Sequence, residues 1–285
     1  MKLAICITTR NRPQELNACL AAILSSTVKP ASVIVSDDSA ENEIQNKNRQ
    51  IVEQYYNTIY LQGPRSGVCA NRNNAVNAVT DADLVAFVDD DICVEPDFIA
   101  LVVAQYEKMP SADRECTILT GSSREPGGGE LVPSSLTFRG YFRPSKTPES
   151  VVIHAAVFPR HFFREEQWDE NIFFGYEDAE LCLRALKRGY KILPVSELRT
   201  INTRFEQGSL VVPSIGNLTD YEIYVEAARL YVGIKRYKDI FPNLFKLILF
   251  IGVYFAHMIV YLSKRQSIQA LPKIISCSQL QTLFT

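Results

Sequence analysis

The sequence predicts an α/β fold: a mostly parallel sheet flanked by helices, followed by a helical C-terminal segment. Three observations carry that prediction. Short apolar runs at Leu3–Ile7, Ala31–Val35 and Leu84–Val88 are continuous, as strands buried on both faces are. Segments with helical spacing separate them, the alternation that winds a parallel sheet. Each run also ends in polar residues: Thr8, Asp37-Asp38 and Asp89-Asp90-Asp91. In such sheets ligands sit at the carboxyl ends of the strands.

Taken in order, Leu3–Ile7 is too short for the apolar core of a signal peptide and is assigned as a strand. Pro13 suits the first turn of a helix, and Leu16, Leu20, Ile23 and Leu24 give it an apolar face before Lys29-Pro30 stops it. The strand Ala31–Val35 follows. A polar helical stretch leads to a short strand near Thr58–Leu61. Gly63–Gly67 is a turn, and Val68, Arg72, Ala75, Val76 and Val79 mark the helix that feeds the strand at Leu84. Pro96-Asp97 opens a helix through Tyr106, and Cys116–Thr120 is a strand. Gly121–Ser150, rich in Gly, Pro and Ser, is expected to form a mobile loop or irregular hairpin beside the site. Val151–Phe158 returns to strand character. A helix begins at Glu177-Asp178 and ends with Lys187, Arg188 and Gly189. Lys191–Val195 is a short strand, and Arg199–Ser214 is expected to be a lid.

From Asp220 the pattern is helical. Leu247–Leu262 is 16 residues of apolar sequence broken by Gly252 and His257, short of the roughly 20 needed to span a bilayer. Residues 229–285 carry eight Lys/Arg and one acid, a charge of +7, whereas residues 1–228 hold 22 basic and 31 acidic residues, a charge of −9. An acidic body with a basic, apolar tail points to docking on an anionic membrane face. The preferred reading is a helix lying in, or dipping into, the inner leaflet; the other is a helical pair packed on the body. The expected division is residues 1–215 as the catalytic domain and 216–285 as the basic, apolar helical segment. The 285 residues and 47% hydrophobic content support a full core. Seven scattered cysteines without a C-x-x-C pair fit reduced thiols of a cytosolic protein. No nucleic-acid partner is expected.

The chemistry centres on the triplet Asp89-Asp90-Asp91. Carboxylates at a strand mouth are hard ligands for Mg²⁺ or Mn²⁺, and the outer two share one side of an extended chain. A bare triplet also describes an acidic turn or a helix cap. Glu177 and Asp178 are favourable at a helix N-terminus whatever their task. As a functional group, Asp178 is a candidate general base, pulled down by helix dipole and metal and pushed up by Glu177. Thr8 and Asp38 are common cap residues, Arg72 could be a solvated helix arginine, and core packing is the ordinary role of Trp168. His154, His161 and His257 show no metal-ligand spacing.

The ordered set Ile7–Pro13, Val35–Ser39, Gly67–Asn73, Val88–Asp91 and Gly175–Arg184 resembles family 2 glycosyltransferases of the GT-A (Rossmann-like) fold over roughly residues 1–200. The Thr-Arg-Asn-Arg-Pro opening is similar to bacterial rhamnosyltransferase-like members. The resemblance implies an inverting, metal-dependent transferase, hexosyl or deoxyhexosyl, using a UDP- or dTDP-sugar and a glycan or lipid-linked acceptor on the inner face of a bacterial membrane. Thr8, Arg10 and Asp38 would bind the donor, with Arg72, Asp89 and Asp90. Asp89 and Asp91 would hold Mn²⁺ or Mg²⁺. Asp178 would be the catalytic base, supported by Glu177, and Arg184 a structural or orienting residue. Many members place a lid histidine in the metal shell. Here no His lies between His161 and His257, which leaves Asn202 or water, or the aspartates and the diphosphate alone, to complete it.

Two rivals come from other classes. A catalytically inactive homologue would bind nucleotide-sugar or glycan without transfer, and the intact Asp91 and Asp178 argue against it. A nucleotidyltransferase would carry a glycine-rich phosphate loop after the first strand, and Thr8–Pro13 contains no glycine.

Overall fold

The computed structural model describes residues 1–203 and 215–284. Most of the expected lid, residues 204–214, lies outside them. The elements in order are β1 (Leu3–Thr9), α1 (Pro13–Leu24), β2 (Ser32–Asp37), α2 (Asn42–Glu53), β3 (Thr58–Gln62), α3 (Val68–Asn77), β4 (Leu84–Asp89), β5 (Ile92–Val94), α4 (Phe98–Lys108), α5 (Ser111–Glu115) and β6 (Thr117–Arg124). Then come β7 (Glu130–Leu131), β8 (Ser134–Leu136), β9 (Phe142–Pro144), β10 (Ala156–Pro159), α6 (Phe162–Glu165), α7 (Glu177–Lys187) and β11 (Lys191–Asn202). The chain closes with α8 (Asp220–Lys235), α9 (Leu244–Lys264) and α10 (Leu271–Cys277).

Among the described residues nine strands form one sheet, ordered β3-β2-β1-β4-β10-β6-β11-β5 with β7 on β6. The half built from β3, β2, β1 and β4 is wholly parallel. β10 runs antiparallel to β4 and β6, and β11 parallel to β6. The apolar runs are continuous because both faces are covered. Leu3, Ile5 and Ile7 pack towards α1 and α4, while Ala4 and Cys6 belong to the opposite cluster with α3, α7, α8 and α9. Strand periodicity of two places alternate residues in different cores.

Two expectations are corrected here. The glycine-rich stretch begins later than Gly121, because β6 runs on to Arg124. A Cβ at Gly121 would lie 1.8 Å from the Leu198 carbonyl oxygen, so this glycine marks a close approach of two backbones within the sheet, not a loop. Arg199–Asn202, expected to open a lid, is strand instead: β11 passes through a register shift between Pro194 and Arg199 and continues to Asn202. Segment 130–150 does hold an irregular hairpin, β8 on β9.

The helical C-terminal segment shares the larger apolar core, with Ile223, Leu230, Phe250, Tyr254, Met258 and Leu262 alongside Val85 and Phe158. A capping box opens α8: Glu222 N–H donates to Thr219 Oγ1 at 3.2 Å and Thr219 N–H donates to the Glu222 carboxylate at 2.8 Å. α9 has 21 residues, 18 of which in one run have a mean hydropathy of 2.0, and is the one helix among the described residues long and apolar enough to cross a membrane by length and composition. It outruns the 16-residue apolar stretch because Lys246 interrupts the hydropathy but not the helix. α8 and α9 meet at Gly233, where a Cβ would lie 2.0 Å from the ring of Phe250, itself 1% exposed. Gly233→Ala is therefore expected to overpack this contact and cost about 1–3 kcal/mol, measured by urea unfolding.

Candidate active site

The parallel half of the sheet brings the three polar strand ends together. Thr8 pairs in register with Ser36 of β2 and Asp89 of β4. Thr8 Oγ1 lies 3.5 Å from Asp89 Oδ1, and Thr9 Oγ1 donates to Asp90 Oδ2 at 2.7 Å. Asn11, in the left-handed region at φ 58°, donates its N–H to Ser39 Oγ at 2.8 Å, tying the first mouth loop to the second.

The two acids at the end of β2 have different fates. Asp37 is fully buried and accepts from Ser39 N, Ser39 Oγ, Asn48 Nδ2 and the Tyr60 hydroxyl at 2.5–2.9 Å. It builds the loop. Asp38 accepts one backbone N–H, from Arg65 at 2.9 Å. Burial pushes its carboxyl above the ordinary range, against the Arg65 N–H and the charge of exposed Arg10. A Cβ on Gly63 would fall 2.2 Å from Asp38 Oδ1 and 2.6 Å from Asn71 Oδ1. Two acceptor oxygens thus flank one point, and Asn71 Oδ1 is buried without a hydrogen-bond partner.

The triplet divides as well. Asp89 ends β4, and the chain then turns through Asp90-Asp91 before β5. Strand alternation therefore stops applying, and the outer two acids have different partners. Asp90 and Asp91 both accept from Arg12 Nη1, at 3.1 and 3.0 Å. Burial raises Asp90 to about 7, in spite of Arg12 and Thr9. The end of β11 closes on this turn: Thr203 N–H and Oγ1 donate to the Asp91 carbonyl at 2.8 and 3.0 Å, and Asn202 donates to Glu125 at 3.3 Å.

Asp89 faces the other way. Arg72, 2% exposed, donates from Nη2 to Asp89 Oδ1 at 3.2 Å and from Nη1 to Glu177 Oε1 at 2.9 Å. Its guanidinium lies 4.9 Å from the Trp168 ring centre, a cation–π contact in a dry site. Trp168 is held by Asn73, whose side chain bonds both its N–H and its carbonyl, at 2.9 and 3.0 Å. His154 Nδ1 lies 3.2 Å from Asp89 Oδ2. Burial pushes the Asp89 carboxyl up, but Arg72 and His154 outweigh it and hold the group well below the usual carboxylate range. His154 is raised: burial opposes its charge and Asp89 overcomes that.

The clamp places α7 against the strand mouth. Gly175 and Tyr176 take positive φ, 84° and 62°, and turn the chain sharply into the helix. Glu177 goes to Arg72. Asp178 accepts from Ala179 N–H at 2.7 Å and from Ser150 Oγ at 3.2 Å. Burial first, then the charge of Glu177, raises it to about 6, against the Ala179 N–H, Arg72 and Ser150. Arg184 is not at the mouth. It pairs with Glu180 at 2.7 Å and with Glu166, a structural network on the far part of α7.

Thr8, Asp38, Asp89, Asp90, Asp91, Glu177 and Asp178 therefore belong to connected parts of one mouth, with Arg10 on its exposed side. Three neighbours were not anticipated as site residues. Arg12 preceded a helix and was considered only for its start. Ser150 lay in a stretch assigned to a loop, and His154 had no ligand spacing. Each is placed by long-range packing, which no local signal encodes. Arg72→Gln is expected to leave two carboxylates without their shared cation and to destabilise the fold by about 3–5 kcal/mol. Because the Asp89 pKa is depressed in the fold, its share is present above the unfolded value of about 3.9 and is lost in acid. The difference between wild type and variant in urea unfolding should narrow below about pH 4.

The profile of glycosyl transferase family 2 matches residues 4–165, more than half of the chain. A glucosyl-dolichyl phosphate glucuronosyltransferase of Haloferax volcanii is 23% identical over 112 residues, 39% of this chain and 36% of that protein. Glycosyltransferase GlyA of Streptococcus pneumoniae is 24% identical over 108 residues, 38% of this chain and 15% of that protein. The matched stretches thus span well under half of both relatives. The solved structure of S. aureus TarS 1-349 in complex with UDP-GlcNAc superposes with a TM-score of 0.65 at 17% identity, covering 97% of this chain and 79% of that one. GalNAc-T7 with UDP, GalNAc and Mn²⁺ gives 0.59 at 14% identity, covering 93% and 58%. These structures share the GT-A architecture of mixed sheet and flanking helices, and the chain is a member of glycosyl transferase family 2.

Proposed function

We propose that this glycosyltransferase moves a sugar from a UDP- or dTDP-sugar to a hydroxyl of a glycan or lipid-linked acceptor, with inversion at the anomeric carbon. The observation that carries the proposal is the Arg72 bridge. It joins Asp89 at the strand mouth to Glu177, whose neighbour Asp178 is half-buried and raised to about 6. A base with that pKa is ionised at neutral pH yet still basic enough to accept a proton. One base and no enzyme nucleophile correspond to a single displacement, hence inversion.

Asp38, whose carboxylate accepts one backbone N–H, from Arg65, keeps acceptor capacity that would suit the imide N–H of uracil or thymine, which supports a UDP or dTDP donor. Thr8 would contact the nucleoside, and exposed Arg10 would meet the diphosphate. Arg72 serves differently from the direct donor contact that the resemblance implies. Buried between two acids, it is a positioning residue that holds Asp89 and Glu177.

The carboxylates expected to hold Mn²⁺ or Mg²⁺ are those of Asp91 and Asp89. Among the described residues no three His, Cys, Asp or Glu side chains gather as a metal centre. Asp89 is turned to Arg72 and His154, so Asp91 with an incoming diphosphate and water would be left to suit a hard cation that keeps part of its hydration, and Asp90 and Asp91 already attract the cationic Arg12. When bound, the ion would neutralise charge developing on the leaving diphosphate. Residues 1–215 would carry the chemistry and 216–285 the attachment to the cytoplasmic face of a membrane. That is a division of role, since both contribute to one apolar core.

A panel of sugar nucleotides with and without Mn²⁺ tests the donor assignment, because a ligand that binds the native state raises its melting temperature. A UDP- or dTDP-sugar should give the largest shift, and no shift with any of them would end the proposal. Asp178→Asn should keep that shift and lose turnover by about 10²–10⁴-fold. The transfer rate should rise with pH through about 6 as Asp178 loses its proton. In Ser150→Ala this limb should move to higher pH, since a hydrogen bond to the ionised carboxylate is removed.

A further inference from the structure

Among the described residues nothing packs on the outer face of α9, which is apolar. Phe250, Tyr254, Met258 and Leu262 recur every fourth residue and are buried. On the opposite side, Phe245 is 77% exposed, Ile248 64%, Leu249 45%, Ile259 50% and Val260 54%. Gly252 lies on this side too, with open space around it. Lys246 and Lys264 are both exposed and stand about five turns apart, hence on one flank of the helix, near either end. Aliphatic lysine stems reach along an apolar surface while their ammonium groups stay in water. A strip of this kind, flanked by cations and carried by the basic tail of an acidic chain, complements an anionic bilayer in both polarity and charge.

We propose that α9 seats this face flat in the headgroup region of an anionic membrane and does not cross it. Its length would permit crossing, but its inner face does not. Tyr254 and Met258 rest on Arg229, whose guanidinium lies 4.5 Å from the Tyr254 ring centre and 3.3 Å from Met258 Sδ. Arg229 is paired with Glu226 at 2.5 Å. Phe250 sits on Gly233 of α8. A crossing helix would drag this ion pair and α8 into hydrocarbon, or abandon the core, and ionised groups are expensive there. The proposal rests on the transferase reading at one point: a cleft held at a lipid surface meets a lipid-carried acceptor.

The test is co-sedimentation of the full chain with vesicles of phosphatidylcholine alone or with phosphatidylglycerol. Binding should need the anionic lipid and fall as salt is raised. Ile248→Gln/Ile259→Gln, at exposed positions, should bind at least tenfold more weakly with an unchanged melting temperature and an unchanged sugar-nucleotide shift. In Leu249→Trp, fluorescence should be quenched by lipids brominated near the glycerol and little by lipids brominated near the chain ends. Strong quenching at the chain ends would overturn the flat seat. Failure to bind either vesicle while the donor shift persists would overturn the docking surface and leave the transferase reading intact. A concentration-dependent dimer lost in the double variant would assign the face to a second copy and overturn the proposal likewise.

Discussion

A single guanidinium holds the two halves of the mouth together. Arg72 reaches from α3 to Asp89 at the end of β4 and to Glu177 at the start of α7, residues 105 positions apart from it in the second case. Neither carboxylate could be this enclosed without it, because an unpaired buried charge is costly. Lysine in its place would lose part of the pairing, since a planar fork serves two acids at fixed separation and a single ammonium does not. Trp168 beneath the fork and Asn73 behind Trp168 keep that plane in place. The chemistry proposed for Asp178 thus depends on packing around a residue that need not touch substrate.

Much of this was legible in the sequence, and for a physical reason. A strand covered on both faces must be apolar throughout, so β1, β2 and β4 announce themselves. Parallel winding then gathers their carboxyl ends, which makes Thr8, Asp38 and the Asp89–Asp91 triplet neighbours by topology. Helix punctuation at Pro13 and Gly189 is equally local. What could not be read was orientation. The Asp90-Asp91 turn sends Asp91 to Arg12 instead of alongside Asp89, and a triplet of identical letters gives no hint of it. Gly121 misled for a related reason: the same residue type marks a loop or a close approach of strands, and only the distant Leu198 carbonyl decides which.

The C-terminal helices combine two requirements in one element. One stripe of α9 completes the core through Phe250, Tyr254, Met258 and Leu262, and the opposite stripe remains apolar in the open. Composition alone cannot separate these uses, because both are satisfied by the same residue types. The hairpin β8–β9 also links this region to the catalytic side. Tyr141 contacts His257 at 3.3 Å, and its neighbour Phe142 stacks on Tyr176 at 4.7 Å, one residue before Glu177.

The unequal acids Asp37 and Asp38 bear on how such a protein can diverge. One letter apart, they have separate tasks: the first is committed to four donors that shape the loop, the second accepts one backbone N–H and packs against Gly63. If Asp38 makes the proposed donor contact, drift at position 38 alters base recognition on an intact scaffold, whereas drift at 37 dismantles the scaffold first.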